Sequence, residues 1–157
     1  MPSIIPIKLN TTHPGSHKCE QNCILCREHF VESTTFSSDN TGDTFSIRHH
    51  MTCKVENFIY LLFCSKCKGK QYVGESKNTM RVRFAGHRSD INIKKKKSGK
   101  IPHIIQHFSS PGHSLADMRA LPIEQVCRKD TDFRKSRERF WYTKLQTVYP
   151  EGLNERD

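Results

Sequence analysis

Seven cysteines in 157 residues constrain this chain more than any other feature, because five of them fall in two tight groups. Cys19-x3-Cys23-x2-Cys26 puts three thiols on one knuckle, and Cys64-Ser-Lys-Cys67 adds two more. The count is odd, and the start Met1-Pro-Ser-Ile-Ile-Pro lacks the charged, apolar and small-residue zones of a secretory signal. Both features favour metal thiolates over a disulfide framework. A tetrahedral zinc needs four ligands, and Cys53 is the nearest fourth for the first group. The second group lacks two ligands, which histidines can supply. His107 and His113 in HFSSPGH fit best, since Pro111-Gly112 can turn the second ring back toward the first. His103, four residues before His107 on one helical face, competes. One or two structural Zn2+ ions are therefore expected. Reduced buried cysteines act as small hydrophobes, a reading that suits Cys127 and fits the clustered cysteines poorly.

Zinc suits a chain whose own core is lean. Only 34% of the residues are hydrophobic, and metal binding adds directly to folding. No apolar run approaches the roughly 20 residues of a membrane span, so no membrane partner is expected. The net charge of +10 is local: residues 66–100 hold twelve bases against Glu75 and Asp90, and the remainder is balanced. A basic segment on a neutral body is the footprint of a polyphosphate partner. DNA is the expected one, contacted by Lys77, Arg81, Arg88 and the run Lys94, Lys95, Lys96 and Lys97. That run, beside Ser98-Gly99, also reads as a solvated loop. It fits a nuclear-import signal as well, so the expected location is nuclear.

Residues 1–18 are polar, punctuated by Pro2, Pro6, Pro14 and Gly15, and read as a flexible arm. Residues 19–53 read as a zinc-knuckle region with a short strand over 44–48, and residues 54–157 as the main domain. There, Phe58 to Phe63 is a continuous apolar, β-prone run that suits a buried strand, with Gln71 to Gly74 returning. Met80, Phe84, His87 and Ile91 make one helical stripe between Asn78 and about Ile93. A short helix over 102–108, a strand over 118–126, and a helix from an Asp130-Thr131-Asp132 cap to about Val148 follow. In that last helix Phe133, Phe140, Trp141 and Leu145 are expected to face inward. The order β-β-α-α-β-α gives a small α/β (α+β) domain, its sheet mainly antiparallel.

The order of paired motifs carries the functional information. Phe58-Ile59-Tyr60 and Tyr72-Val73-Gly74 lie on adjacent expected strands. Arg83 and His87 follow one helical turn apart, then Glu138 on the last helix and Gly152-Leu153-Asn154 after it. Together with the CxxC between the tyrosine motifs and the strings YVGES…RVRFAGH, HFSSPGHSLADMR, RERFWYTKLQT and PEGLN, this resembles the GIY-YIG nuclease family over roughly residues 53–154. More narrowly, it is similar to the endonuclease domain of Penelope-like retroelements. Phe58 stands where the first motif has its glycine, a strand-backbone position.

The resemblance implies a GIY-YIG-like sheet flanked by helices with a CCHH zinc insertion, and a metal-dependent endonuclease that nicks or cleaves DNA. It further implies a role in retroelement integration by target-primed reverse transcription, with a reverse-transcriptase domain of the same polyprotein and its RNA as further partners. Phosphodiester hydrolysis needs an activated water, charge stabilisation on the phosphoryl oxygens and help for the leaving oxygen. Arg83, planar and permanently charged, suits the phosphate clamp, with Arg81 a close rival. Glu138 would hold a single Mg2+ or Mn2+, whose other sites water and phosphate can fill. Tyr60 is the family's general base, but a phenol near pKa 10 needs that value lowered. Tyr72 would contact the phosphate or orient the water, His87 would assist proton transfer, and Asn154 would position the metal shell or substrate. The competing reading is a zinc-stabilised DNA-binding module without cleavage. A RING-type zinc protein fits poorly, because long gaps and a strand pair separate the eight ligands.

Overall fold

The computed structural model describes residues 13–156. In chain order the elements are β1 (Gly15–Ser16), α1 (Ile24–Glu28), β2 (Thr35–Ser37), β3 (Thr44–Ser46), β4 (His50–Met51), β5 (Phe58–Cys64) and β6 (Gln71–Ser76). They continue with α2 (Met80–Ile93), α3 (His103–Ser109), a single 3-10 turn, β7 (Met118–Gln125) and α4 (Thr131–Lys144). The unbroken apolar run becomes β5, the middle strand of an antiparallel sheet ordered β6-β5-β7. A strand covered on both faces has no polar side to show, which is why its sequence does not alternate. A β2–β3 hairpin and a parallel β1–β4 pair complete a mixed α/β fold with small, mainly antiparallel sheets.

Register decides which side chains meet. Tyr60 pairs with Gly74 and Leu62 with Tyr72, so Tyr60, Gly74 and Tyr72 share one sheet face. The α2 helix covers that face through Met80, Phe84, His87 and Ile91, the stripe that the sequence spacing predicts. Thr79 caps its start by accepting from the Val82 N–H.

Residues 19–53 bring Leu25, Cys26, Phe30, Phe36, Ile47 and Met51 into the same apolar core as the sheet. Val31 N donates to Ala120 O of β7 at 2.9 Å. Of the expected arm, residues 1–12 lie outside the described residues. Gly15 and Ser16 do not belong to an arm: they are buried, and their N–H groups donate to His49 O and Ser33 O, both at 2.9 Å.

The last helix departs from expectation twice. It stops at Lys144, not near Val148: Gln146 takes a left-handed φ of 52°. The chain then folds back, with Asn154 N donating to Thr147 O at 2.9 Å. Gly152 permits this, since a Cβ there would lie 2.2 Å from Thr147 O. Phe140, expected inward, is 44% exposed, with the Arg137 guanidinium 4.5 Å above its ring. Phe133, Trp141 and Leu145 pack against the core as expected, and the same side of the helix carries the buried Arg134 and the half-buried Glu138. Arg134 can be buried because Glu75 accepts from its Nε at 2.6 Å and Asn57 Oδ1 from its Nη1 at 2.9 Å.

Candidate active site and metal centres

Tyr60, Arg83 and His87 converge. Arg83 Nε donates to Tyr60 Oη at 2.9 Å, and Tyr60 Oη lies 2.6 Å from His87 Nε2. The guanidinium can only donate, so we assign the single phenolic proton to the bond with His87, which puts the imidazole proton on Nδ1. Burial pulls the His87 pKa down to about 3, helped by the Arg83 charge, and keeps the ring neutral. Burial also drives the Tyr60 pKa well above 10. Tyr72 opposes its ionisation too, and the lowering by Arg83 does not compensate. The depressed phenol pKa that a resting general base requires is therefore not what this environment provides.

Tyr72 lies beside them, its ring 5.7 Å from that of His87. Burial pushes its pKa up to about 12 against the pull of Arg83. The Glu138 carboxylate, one turn beyond the Arg134–Glu75 pair on α4, is close enough to oppose ionisation of both phenols. Tyr72, Arg83 and Glu138 are half-buried while Tyr60 is fully buried, so these three form the wet side of the cluster. Arg81, two residues from Arg83, points about 200° around α2 and away from the phenols.

Asn154 stands apart from this cluster. Its Oδ1 accepts from Val73 N at 2.8 Å and Thr147 Oγ1 at 2.6 Å, and its Nδ2 donates to Val73 O at 2.8 Å. The amide clamps the C-terminal loop to β6 between Tyr72 and Gly74, and none of its hydrogen bonds reaches the Tyr60–Arg83–His87 chain.

Neutral burial of His87 predicts a pH signature. The unfolded chain takes up a proton near pH 6.5 that the folded chain refuses until about pH 3. Folding should thus lose up to about 1.4 kcal/mol per pH unit as pH falls below about 6.5. His87→Gln, which keeps a partner for the Tyr60 hydroxyl, is expected to flatten this slope in urea unfolding between pH 4 and 6.5. Equal slopes in the two proteins would refute the assignment.

Two four-ligand clusters assemble, one from Cys19, Cys23, Cys26 and Cys53, the other from Cys64, Cys67, His107 and His113. In each, the ligand atoms lie within 4.8 Å of one another. Both match the sets read from spacing, and both could hold a metal such as zinc. A zinc with bonds of about 2.3 Å to sulfur sets tetrahedral S···S edges near 3.8 Å, and Cys23 Sγ lies 3.9 Å from Cys53 Sγ. The second cluster contains a buried atom in need of a partner: His107 Nε2 makes no hydrogen bond. Burial lowers the pKa of that ring, leaving it the neutral ligand a metal requires. His103 is outside the cluster, stacked on Tyr149 and bonded to Glu155.

The first cluster is tied to α2. Arg81 N donates to Cys53 O at 3.0 Å, Arg81 Nε to Cys53 Sγ at 3.0 Å, and Met80 N to Val55 O at 3.2 Å. N–H···S bonds of this kind offset thiolate charge. The Cys23 N–H, more than the Arg81 guanidinium, lowers the Cys19 thiol to about 6. Arg81, read above as a DNA contact, is thus engaged by the cysteines. Lys77, Lys94, Lys95, Lys96 and Lys97 are exposed, Lys94 capping the end of α2 and Lys97 opening a turn closed on Lys100, while Arg88 is half-buried with its Nε unpartnered.

Sequence reading missed Glu75, Asn57 and Arg134, the buried set that orients α4 and with it Glu138. Nothing in a single sequence marks Asn57. Glu75 sits within a quoted motif string but carried no assignment. No family model, curated protein or solved structure matches this chain.

Proposed function

We propose that this chain is a metal-dependent DNA endonuclease of GIY-YIG type. The observation that carries the reading is the hydrogen-bonded chain from Arg83 through Tyr60 to His87, with Tyr72 and Glu138 beside it. A phosphodiester would lie on the half-buried side, its oxygens against the Arg83 guanidinium and the Tyr72 hydroxyl. Water attacks phosphorus from the wet side, with a small opening of the site exposing Tyr60 Oη. Its proton passes to that oxygen while the phenolic proton moves to His87 Nε2. The leaving oxygen departs with the electron pair of the P–O bond and takes a proton from solvent, and His87 later returns its proton to solvent through Tyr60. A phenol with a raised pKa serves such a relay, because it never has to hold a resting negative charge. The phosphate's own charge favours the imidazolium that forms.

Glu138 is the carboxylate that acts on both phenols, and a lone carboxylate suits Mg2+ or Mn2+ when water and phosphate complete the shell. Such an ion would supply Lewis-acid stabilisation of the charge that develops on the phosphoryl and leaving oxygens. Glu138→Gln is expected to lower nicking of supercoiled plasmid in Mg2+ or Mn2+ by at least about 100-fold, a loss typical of a removed electrostatic stabiliser. Thermal stability and DNA affinity should remain near wild type. Normal nicking by the variant would sink the assignment of Glu138.

Full burial of Tyr60 favours a second reading, a zinc-stabilised DNA-binding module that does not cut. Salt-sensitive DNA binding with intact supercoils under every metal and pH, from folded and metal-loaded protein, would establish it. The role in retroelement integration, alongside a reverse transcriptase and its RNA, rests on the resemblance of the motif strings, and a nuclear location rests on the run Lys94 to Lys97.

A further inference from the structure

Glu124 pairs with Ile59, the strand neighbour of Tyr60, so it lies on the opposite sheet face from the phenols. On that face is a cavity of about 550 Å3 between β3, β7 and α4. Its aromatic wall is Phe45 and Trp141, with ring centroids 5.2 Å apart at 76°. Trp141 is the only tryptophan of the chain, and Glu124 fixes its indole by accepting from Nε1 at 2.9 Å. That same carboxylate accepts from Arg137 Nε at 2.8 Å and Nη2 at 2.7 Å, which neutralises it.

Two further guanidiniums line the cavity: Arg48, which is exposed, and Arg128, which lies 4.7 Å over the Phe133 ring and donates to Asp130 Oδ2 at 3.1 Å across an exposed pair. Glu124 is the one acidic residue among the described lining residues. His49, also in the lining, has a buried Nδ1 with no hydrogen-bond partner. An aromatic platform held rigid, a polar atom awaiting a partner, and guanidiniums at the rim together fit a planar base carrying a phosphate. Cavities of this size are typical of small-ligand sites. Base stacking on an aromatic ring tolerates any base, and phosphate contacts add salt-sensitive affinity.

We infer that this cavity binds a nucleotide of single-stranded DNA, its base against Phe45 and Trp141 and its phosphate at Arg48 and Arg128. The site is separate from the phenol cluster and does not depend on cleavage. In a nuclease it would hold a strand displaced from the duplex.

Trp141 reports on its own site. Adding hexadeoxyadenylate to the full metal-loaded chain is expected to quench tryptophan emission saturably, with an apparent Kd that rises steeply with salt. Hexametaphosphate, which has charge and no base, should leave the emission unchanged, as should polyglutamate. An Arg48→Ala/Arg128→Ala double variant should keep the free emission spectrum and raise the Kd about tenfold or more. The inference is overturned by unchanged emission at saturating oligonucleotide, by equal quenching with hexametaphosphate, by a polyglutamate response (which would mark an acidic-peptide site), or by a double variant that binds as wild type. Plasmid nicking is read separately, so failure of this site and failure of the nuclease reading are distinguishable.

Discussion

With a metal ion in each of the two clusters, Cys53→Ser is expected to cost this chain one of the two and most of its folding stability. Domains of this kind hold a margin of only about 5–15 kcal/mol, and structural zinc contributes about 10–16 kcal/mol of apparent binding energy in peptides that fold around it. Here Cys53 is fully buried, and the same residue anchors α2 through its carbonyl and its sulfur. Losing the ligand therefore loosens the start of the helix that carries Arg83 and His87. Metal analysis should fall from two ions per chain to one, and the unfolding midpoint should drop by tens of degrees or the protein should fail to accumulate folded. Cys64→Ser should remove the other ion. Cys127→Ser is the control: Cys127 is exposed and belongs to neither cluster, so neither quantity should move. Two ions per chain and an unchanged midpoint in Cys53→Ser would remove the zinc interpretation of the first cluster.

What the sequence made legible follows from how local each signal is. The cysteine and histidine sets could be partitioned because short spacings limit which ligand atoms can converge, and Pro111-Gly112 supplies a turn between two of them. β5 and the buried stripe of α2 were readable from apolar runs and spacing. The orientation of α4 was not. Counting apolar residues points Phe140 inward along with Phe133, Trp141 and Leu145, whereas the helix leaves Phe140 exposed and buries Arg134 on Glu75 and Asn57. An ion pair spanning 59 residues leaves no periodic trace, yet it anchors the helix that carries Glu138. The Tyr60 pKa was illegible for a related reason. The nearby Arg83 suggests a lowered value, and only the full enclosure of the ring reverses that sign. Asn154 was found by motif, but its clamp on Val73 depends on a chain reversal that Gly152 allows and no pattern announces.

Gly74→Ala is the second change expected to be severe. A Cβ built on Gly74 lies 2.3 Å from both Cζ and Oη of Tyr60 and 2.8 Å from its Cε2. A glycine inside a strand often marks such a close approach. The phenol has no free direction of retreat. Phe58 lies beside it at 5.6 Å between centroids, His87 holds its oxygen at 2.6 Å, and Arg83 holds it at 2.9 Å. Overpacking of this kind costs about 1–3 kcal/mol, and each buried polar group left short of a partner adds about 1–3 kcal/mol. A loss near 3 kcal/mol corresponds to a midpoint lowered by roughly 6–12 °C for a domain of this size. Nicking should disappear with it, because the oxygen that links Arg83 to His87 is displaced. The steric cause is separable from a general intolerance of the site by a double-mutant cycle with Tyr60→Leu, whose shorter side chain vacates the space claimed by the new methyl. The double variant should show a coupling above 1 kcal/mol relative to the sum of the single changes, recovering stability without recovering cleavage. If Gly74→Ala is as stable as wild type, the strand does not hold the phenol where the proton relay needs it.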